Sequence, residues 1–284
     1  MQEQGPLILG ASGRLGRAFQ HLWAQGQWPE SVEPLWHYRS GPALSGQSVA
    51  WDLLTEAPPE TDRIRAAHGV IVLAGITAGQ DAELARNTDL ARAAVDLARR
   101  YDLGPVLLCS SSAVYGRASG LLDETMNGPP VTRYGQAKLD MEQAVTGPDV
   151  TCLRLANVAG FDQLFGAAAG GRVLLDQFPD GQGPARSYIG PRGLAFIMLS
   201  LFRLARRGTK LPPILNVATG HPLHMNALLD AAGLGFDWRP APPEALPRVA
   251  LDTRQLGLLV PANALSATPA SLVAEARLAG WAPA

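Results

Sequence analysis

The chain reads as an α/β protein on a doubly wound, parallel sheet, and three observations carry that reading. Short, near-continuous apolar runs alternate with helical segments through the first half, the pattern of a parallel sheet covered on both faces. The first run ends in the glycine-spaced turn GASGRLG (10–16), which opens a helix. Further on, Tyr134 and Lys138 stand four residues apart, neighbours on one helical face.

The elements follow in order. PLILG (6–10) is the first strand, with helix-like RLGRAFQHLWAQ after it. EPLWHYR (33–39), SVAWDLL (48–54) and GVIVLAG (69–75) read as the second, third and fourth strands. Asp81 to Tyr101 carries apolar residues at Leu84, Leu90, Ala94, Leu97 and Ala98, the spacing of a long amphipathic helix. GPVLLCSS (104–111) is a fifth strand, 132–146 a helix, and DVTCLRLAN (149–157) a sixth strand. Beyond 157 the pattern loosens. Residues 166–171 and 179–193 read as loops around a short helix or strand, 193–206 as a helix, 212–218 as a strand and 223–232 as a helix. A proline-rich stretch, 240–247, leads to a last helix near 269–279. The predicted division is a nucleotide-binding, Rossmann-like domain over 1–160 and a small, mainly substrate-binding region over 161–284. Elements near 190–220 return from that region to the first domain.

Composition excludes several classes. A formal net charge of −1 over 284 residues gives no basic field for nucleic acid or an anionic membrane. Cys109 and Cys152 lie in apolar runs and share no metal spacing, which speaks for a reducing cytoplasm and against a disulfide framework or a metal site. No apolar run reaches membrane-spanning length. The expectation is a cytoplasmic protein without metal.

In the turn after the first strand, Gly10, Gly13 and Gly16 permit close backbone approach, and the following helix offers N–H groups to a diphosphate. Ser12 and Leu15 lie in the same loop. At the end of the second strand a carboxylate would bond a free ribose 2′-hydroxyl. This chain has His37, Tyr38, Arg39 and Ser40 there, and Arg14 inside the glycine loop. Guanidiniums suit a phosphate better than a diol, so NADP is favoured over NAD.

Only two of the 24 Lys and Arg side chains are lysine, and Lys138 is one of them. A phenol is a weak base near neutrality, and an adjacent ammonium would stabilise its phenolate. Lysine also offers rotatable point-charge donors that a planar guanidinium does not match. Upstream, CSSSAVYG (109–116) places three serines at the carboxyl end of the fifth strand, where a hydroxyl can point into the crevice.

Taken together, the sequence resembles the extended short-chain dehydrogenase/reductases, the NAD(P)-dependent epimerase/dehydratase family that acts largely on nucleotide sugars. The resemblance rests on GASGRLG, Asp52-Leu53 after the third strand, SSSAVYG after the fifth, and Tyr134 with Lys138, all in the family's order. It implies Tyr134 as acid/base, Lys138 as its partner and Ser111 as the oxygen-holding hydroxyl. It further implies cofactor contacts at Asp52, Leu53, Ala74, Gly75 and Asn87, and substrate contacts at Ser112, Asn157 and Arg186. A homodimer through the helices carrying Asn87 and Tyr134 is also expected. Ser112 and Ala113 stand where sugar dehydratases carry Asp-Glu, which disfavours dehydration, and GPRG (190–193) replaces an acidic segment. Cys109 precedes the serine and reads as core. The implied activity is hydride transfer at a carbinol or keto carbon of a sugar or nucleotide sugar, by an epimerase or a keto-sugar reductase. A reductase of a non-nucleotide small molecule and a non-catalytic NADP-binding sensor are the alternatives.

Overall fold

A computed structural model describes residues 4–29, 32–59, 61–126 and 128–282. The first half runs β1 (Gln4–Leu9), α1 (Arg14–Ala24), β2 (Glu33–Tyr38), β3 (Ser48–Ala50), α2 (Thr61–Ala66), β4 (Val70–Val72), α3 (Asp81–Tyr101), β5 (Val106–Ser111), β6 (Gly120–Leu122), α4 (Arg133–Ala144) and β7 (Val150–Leu155). The second half runs β8 (Asn157–Val158), α5 (Gln163–Ala169), β9 (Val173–Gln177), β10 (Ala185–Arg186), β11 (Tyr188–Ile189), α6 (Pro191–Arg206) and β12 (Ile214–Val217). It closes with β13 (Leu223–His224), α7 (Met225–Ala232), β14 (Phe236–Pro240), β15 (Arg248–Leu251), α8 (Arg254–Gly257) and α9 (Pro269–Leu278).

Seven strands form one sheet in the order β12-β7-β5-β4-β1-β2-β3, and all its pairings are parallel. This is the doubly wound, Rossmann-like fold, with its reversal of strand order between β1 and β4. The pleat sorts the side chains. Ile8, Ile71, Leu107, Leu153 and Leu215 face one core with Phe19 and Leu22 of α1 and Leu194 to Phe202 of α6. Leu7, Leu9, Val70, Val72, Val106 and Leu108 face the other, with Ala91, Ala94 and Val95 of α3 and Met141 of α4. Each fully buried Leu or Ile contributes about 1.5–3 kcal/mol. Strand β12 enters this sheet beside β7, and α6 covers it, so the chain crosses back after residue 190.

The remaining elements pack above the carboxyl ends of β5, β7 and β12. Strands β13, β10, β15 and β6 form a small sheet in that order, and β9 pairs with β14. Beneath them Leu164, Phe165, Tyr188, Leu228, Leu229, Leu272 and Val273 make a separate core. A carboxylate ties this region to the main domain. Glu275 of α9 accepts the Gly193 N–H at 2.8 Å, capping α6 from across the molecule.

Two expectations need correction. Residues 166–171 are not wholly a loop, because α5 runs to Ala169; Asp162 caps it through the Phe165 N–H at 3.2 Å and Leu164, Phe165 and Ala168 are buried. The third strand stops at Ala50, since the Asp52 carboxylate accepts the Leu54 N–H at 2.9 Å and turns the chain.

The tightest backbone approach is at the switch point. Gly10 has φ +85°, and a Cβ there would lie 2.5 Å from the Ala74 nitrogen. Gly10→Ala combines left-handed strain with a backbone clash and is expected to cost about 2–5 kcal/mol. Chemical denaturation of wild type and variant checks this, and unchanged stability would contradict the close packing of the two loops.

Candidate active site

The site lies at the carboxyl ends of β1, β4 and β5. The glycine loop closes tightly, with the Gly13 N–H donating to Gly10 O at 3.0 Å. Gly13 is the N-cap of α1 and supplies no capping side chain, so the first N–H groups of an eleven-residue helix face the crevice. A Gly10 that only glycine can occupy and an uncapped helix start suit a diphosphate.

His37 braces that loop from β2. Its Nδ1 accepts the Gly10 N–H at 3.3 Å and its Nε2 faces the Trp51 carbonyl at 3.0 Å, so the ring is neutral with the proton on Nε2. Burial drives its pKa down to about 4, against the raising effects of the Trp51 carbonyl and Asp52. Arg39 and Ser40 are exposed just past the strand. Arg14 turns the other way: it donates to Thr77 Oγ1 at 3.1 Å, in the loop after β4. The two guanidiniums of the expected 2′-phosphate grip thus start from opposite sides of β1.

Asn87 is fully buried, and its amide is committed to backbone. Oδ1 accepts the Ile76 N–H at 3.1 Å, while Nδ2 donates to Ile76 O at 3.0 Å and Leu84 O at 2.8 Å. It therefore shapes the loop holding Ala74 and Gly75. That loop passes so near α4 that a Cβ on Gly75 would meet Asn87 Oδ1 at 3.0 Å and Lys138 Nζ at 3.2 Å.

Helix α4 starts at Thr132, whose hydroxyl accepts the Gly135 N–H at 3.0 Å. Tyr134 is half-buried. Burial raises its pKa above the ordinary phenol value, and the nearby Ser111 hydroxyl and the Arg14 charge pull against that rise. Lys138 is buried and donates from Nζ to Cys109 O at 2.9 Å; its Nζ lies 6.0 Å from the Tyr134 ring centre. Burial lowers its pKa, opposed mainly by the nearby thiols and Glu142. The lowering effects on Tyr134 thus come from Ser111 and Arg14, where the sequence pointed to Lys138. The Cys109 thiol is pushed up to about 12 by burial, so it stays protonated, as expected of core.

Ser112 begins a 3-10 turn, Ser112–Tyr115, at the end of β5. Asn157 lies half-buried on β8. Arg186 is half-buried on β10 and donates to Ala185 O at 2.9 Å, and burial lowers its pKa against the pull of Tyr188 and Asp176. Among the described residues no helix is long and apolar enough to cross a membrane, and no group of acidic, His and Cys side chains has the makings of a metal site.

One constellation went unread in the sequence. Arg154 on β7 is buried against Glu142 of α4, with Nη2 to Oε2 at 2.8 Å and Nε to Oε1 at 3.1 Å. Ser110 donates to the same carboxylate at 2.5 Å. Two signals were available: Glu142 follows Lys138 by four residues on the same helical face, and Arg154 interrupts the apolar run VTCLRL.

The chain belongs to the NAD dependent epimerase/dehydratase family, whose model matches residues 6–169. Among solved structures it is similar to the UDP-glucose 4-epimerase of Brucella ovis in complex with NAD, at 19% identity and a TM-score of 0.74, covering 95% of this chain and 96% of that one. It is also similar to the UDP-N-acetylglucosamine 4-epimerase of Bacillus cereus, at 17% identity and a TM-score of 0.75, covering 97% and 98%. A third is the UDP-glucose 4-epimerase of Stenotrophomonas maltophila with bound NAD and formylated UDP-arabinopyranose, at 16% identity and a TM-score of 0.72, covering 98% of each chain. At these identities the likeness shows the fold. No curated protein matches the chain by sequence.

The neutral His37 yields a pH dependence. Its folded pKa lies near 4 and its unfolded value near 6.5, so the unfolded chain takes up the proton first as pH falls. Stability should therefore drop between about pH 6.5 and 4, by on the order of 3 kcal/mol for this group. Urea melts across that range should show a flatter dependence for His37→Gln; parallel curves would remove His37 as the cause.

Proposed function

We propose that the protein is an NAD(P)-dependent epimerase acting on a nucleotide sugar at a secondary carbinol. One observation carries the proposal: Tyr134 on α4 is half-buried with the Ser111 hydroxyl of β5 close enough to act on its phenol, and the buried Lys138, one turn along the helix, donates to Cys109 O of the same strand. Membership of the family and the fold shared with UDP-sugar 4-epimerases support it.

In this reading Gly10, Ser12, Gly13, Leu15 and Gly16 hold the cofactor diphosphate, Asp52 and Leu53 flank its adenine, and Ala74 and Gly75 line its other end. Asn87 keeps that last loop in place. A bound nicotinamide would take the carbinol hydride and return it to the opposite face. The Ser111 hydroxyl holds the substrate oxygen, and Tyr134 Oη receives the hydroxyl proton and later gives it back. Lys138, with Nζ beside Gly75, serves the ribose, and Ser111 and Arg14 favour the phenolate. Asn157 and Arg186 face the substrate's diphosphate, with Ser112 near its sugar. Self-association would use the outer faces of α3 and α4.

A reductase that prefers NADP is the second reading, favoured by the exposed Arg39 and Ser40 at the place where a ribose-binding carboxylate would stand. A charge-assisted hydrogen bond from Arg39 to a 2′-phosphate is worth roughly 1.5–3 kcal/mol, or at least about tenfold in affinity.

Two tests follow from these assignments. Incubated with UDP-glucose, UDP-galactose or their N-acetyl forms and NAD, the protein should invert C4, read by proton NMR. Tyr134→Phe should lose about 10²–10⁴-fold in kcat while binding cofactor as before. Inversion at the wild-type rate in that variant would end the assignment. For the cofactor, fluorescence titration should give NADPH tighter than NADH, with the order reversed in Arg39→Asp; equal wild-type affinities would leave Arg39 a solvated loop residue.

A further inference from the structure

The proposed reaction uses Ser111, Tyr134 and Lys138 and leaves a second polar set, almost wholly buried, without a task. Helix α4 presents Tyr134, Lys138 and Glu142 at successive i, i+4 positions on the face turned to β5. The first two border the crevice. Glu142 lies against the interior strands β5 and β7, where its carboxylate receives Ser110 Oγ at 2.5 Å and the Arg154 guanidinium at 2.8–3.2 Å. Ser110 and Ser111 point to opposite faces of β5, so a bond to one fixes the aim of the other.

The set continues beyond the pair. Arg154 Nη1 donates to the carbonyls of Glu124 and Met126, both at 3.4 Å, and the guanidinium lies 4.8 Å from the centre of the Tyr115 ring. Tyr115 donates from its hydroxyl to Asn216 Oδ1 at 2.7 Å. Asn216 in turn donates through Nδ2 to Leu122 O at 2.9 Å and Asp252 O at 3.1 Å, and through its backbone N–H to Glu124 Oε1 at 2.9 Å. One connected network thus joins α4, β5, β7 and β12 to the 122–126 segment, which leads on from β6 of the small sheet.

Charge at this spot is not required to fill space, since an apolar set of equal volume commonly packs as well as a buried ion pair. What the polar set adds is direction: a bidentate guanidinium accepts one rotation and one register of the helix facing it. We infer that Glu142, Arg154 and Ser110 are positioning residues for the reaction, holding α4 on β5 in the register that sets Tyr134 against Ser111 while Arg154 fixes the 122–126 segment. This rests on the proposed acid/base role of Tyr134.

The test uses the whole chain with NAD bound and ¹³C-labelled tyrosine, the Tyr134 ring resonance being assigned by its loss in Tyr134→Phe. In Ser110→Ala and Arg154→Lys that resonance should move, and Ser110→Thr, which restores the hydroxyl, should bring it back. On a UDP-hexose that the wild type converts, the same two variants should lose about tenfold or more in kcat with KM within about twofold. A core variant on α6, Ile197→Val, should leave the resonance in place. An unmoved Tyr134 resonance in folded Ser110→Ala overturns the inference, and that variant keeps the Glu142–Arg154 pair should Arg154→Lys not fold. A moved resonance in a protein that converts no UDP-hexose upholds the positioning and overturns the substrate reading. Conversion by the wild type with an unmoved resonance does the reverse.

Discussion

The junction of α4, β5 and β7 is built around two opposite charges, Glu142 and Arg154, buried between those elements. Moving a carboxylate and a guanidinium out of water costs several kcal/mol per ion, and their attraction repays that only when the remaining donors and acceptors are also met. Here they are. Burial works against the Arg154 charge, but Glu142 overrides it and holds the guanidinium above its ordinary pKa, with Tyr115 adding to the effect. Removing either partner of such a pair commonly costs about 3–5 kcal/mol, because the other is left uncompensated. The pair therefore behaves as a fixed point, and α4, β5 and β7 are located relative to it.

Local charge is tuned differently at the two ends of the crevice. Near the glycine loop His37 is kept neutral, so it accepts a backbone N–H without bringing a positive charge to the turn. Near β5 burial lowers the Lys138 pKa, and its bond to Cys109 O anchors the helix bearing Tyr134 to the strand bearing Ser111. Arg14 brings a positive charge from the glycine loop within electrostatic reach of the phenol. The phenol itself is harder to ionise than in water, because burial disfavours its charged form.

The first half of the fold was legible because parallel strands buried on both faces leave short apolar runs, and VIV (70–72) or VLLC (106–109) admit few other readings. The glycine turn and the Tyr134–Lys138 spacing were legible for the same reason: each is a local geometric requirement written in consecutive residues. The second half was less so. Strands β8, β10, β11 and β13 are two residues long and owe their pairing to distant partners, which no local pattern announces. Helix α5 was hidden by Gly166 and by the glycines that follow it, because an exposed glycine interrupts the periodicity without ending the helix. The Ser110–Glu142–Arg154 set spans three elements, and only the oddity of an arginine inside an apolar strand marked it.

Strand β6 has a consequence for how the chain is made. Its three residues pair with β15, so Gly120–Leu122 wait for Val249–Leu251, more than a hundred positions later. The parallel strands β1 to β5 and β7 can begin to pair while the rest is still being synthesised, since domains tend to form from the amino end. During that interval the 122–126 segment lacks Asn216 and the small sheet, and Arg154 meets only part of its eventual surroundings. Such long-range closures are slow relative to local ones. A nascent chain would thus form its glycine turn well before the 122–126 segment against Arg154 is complete.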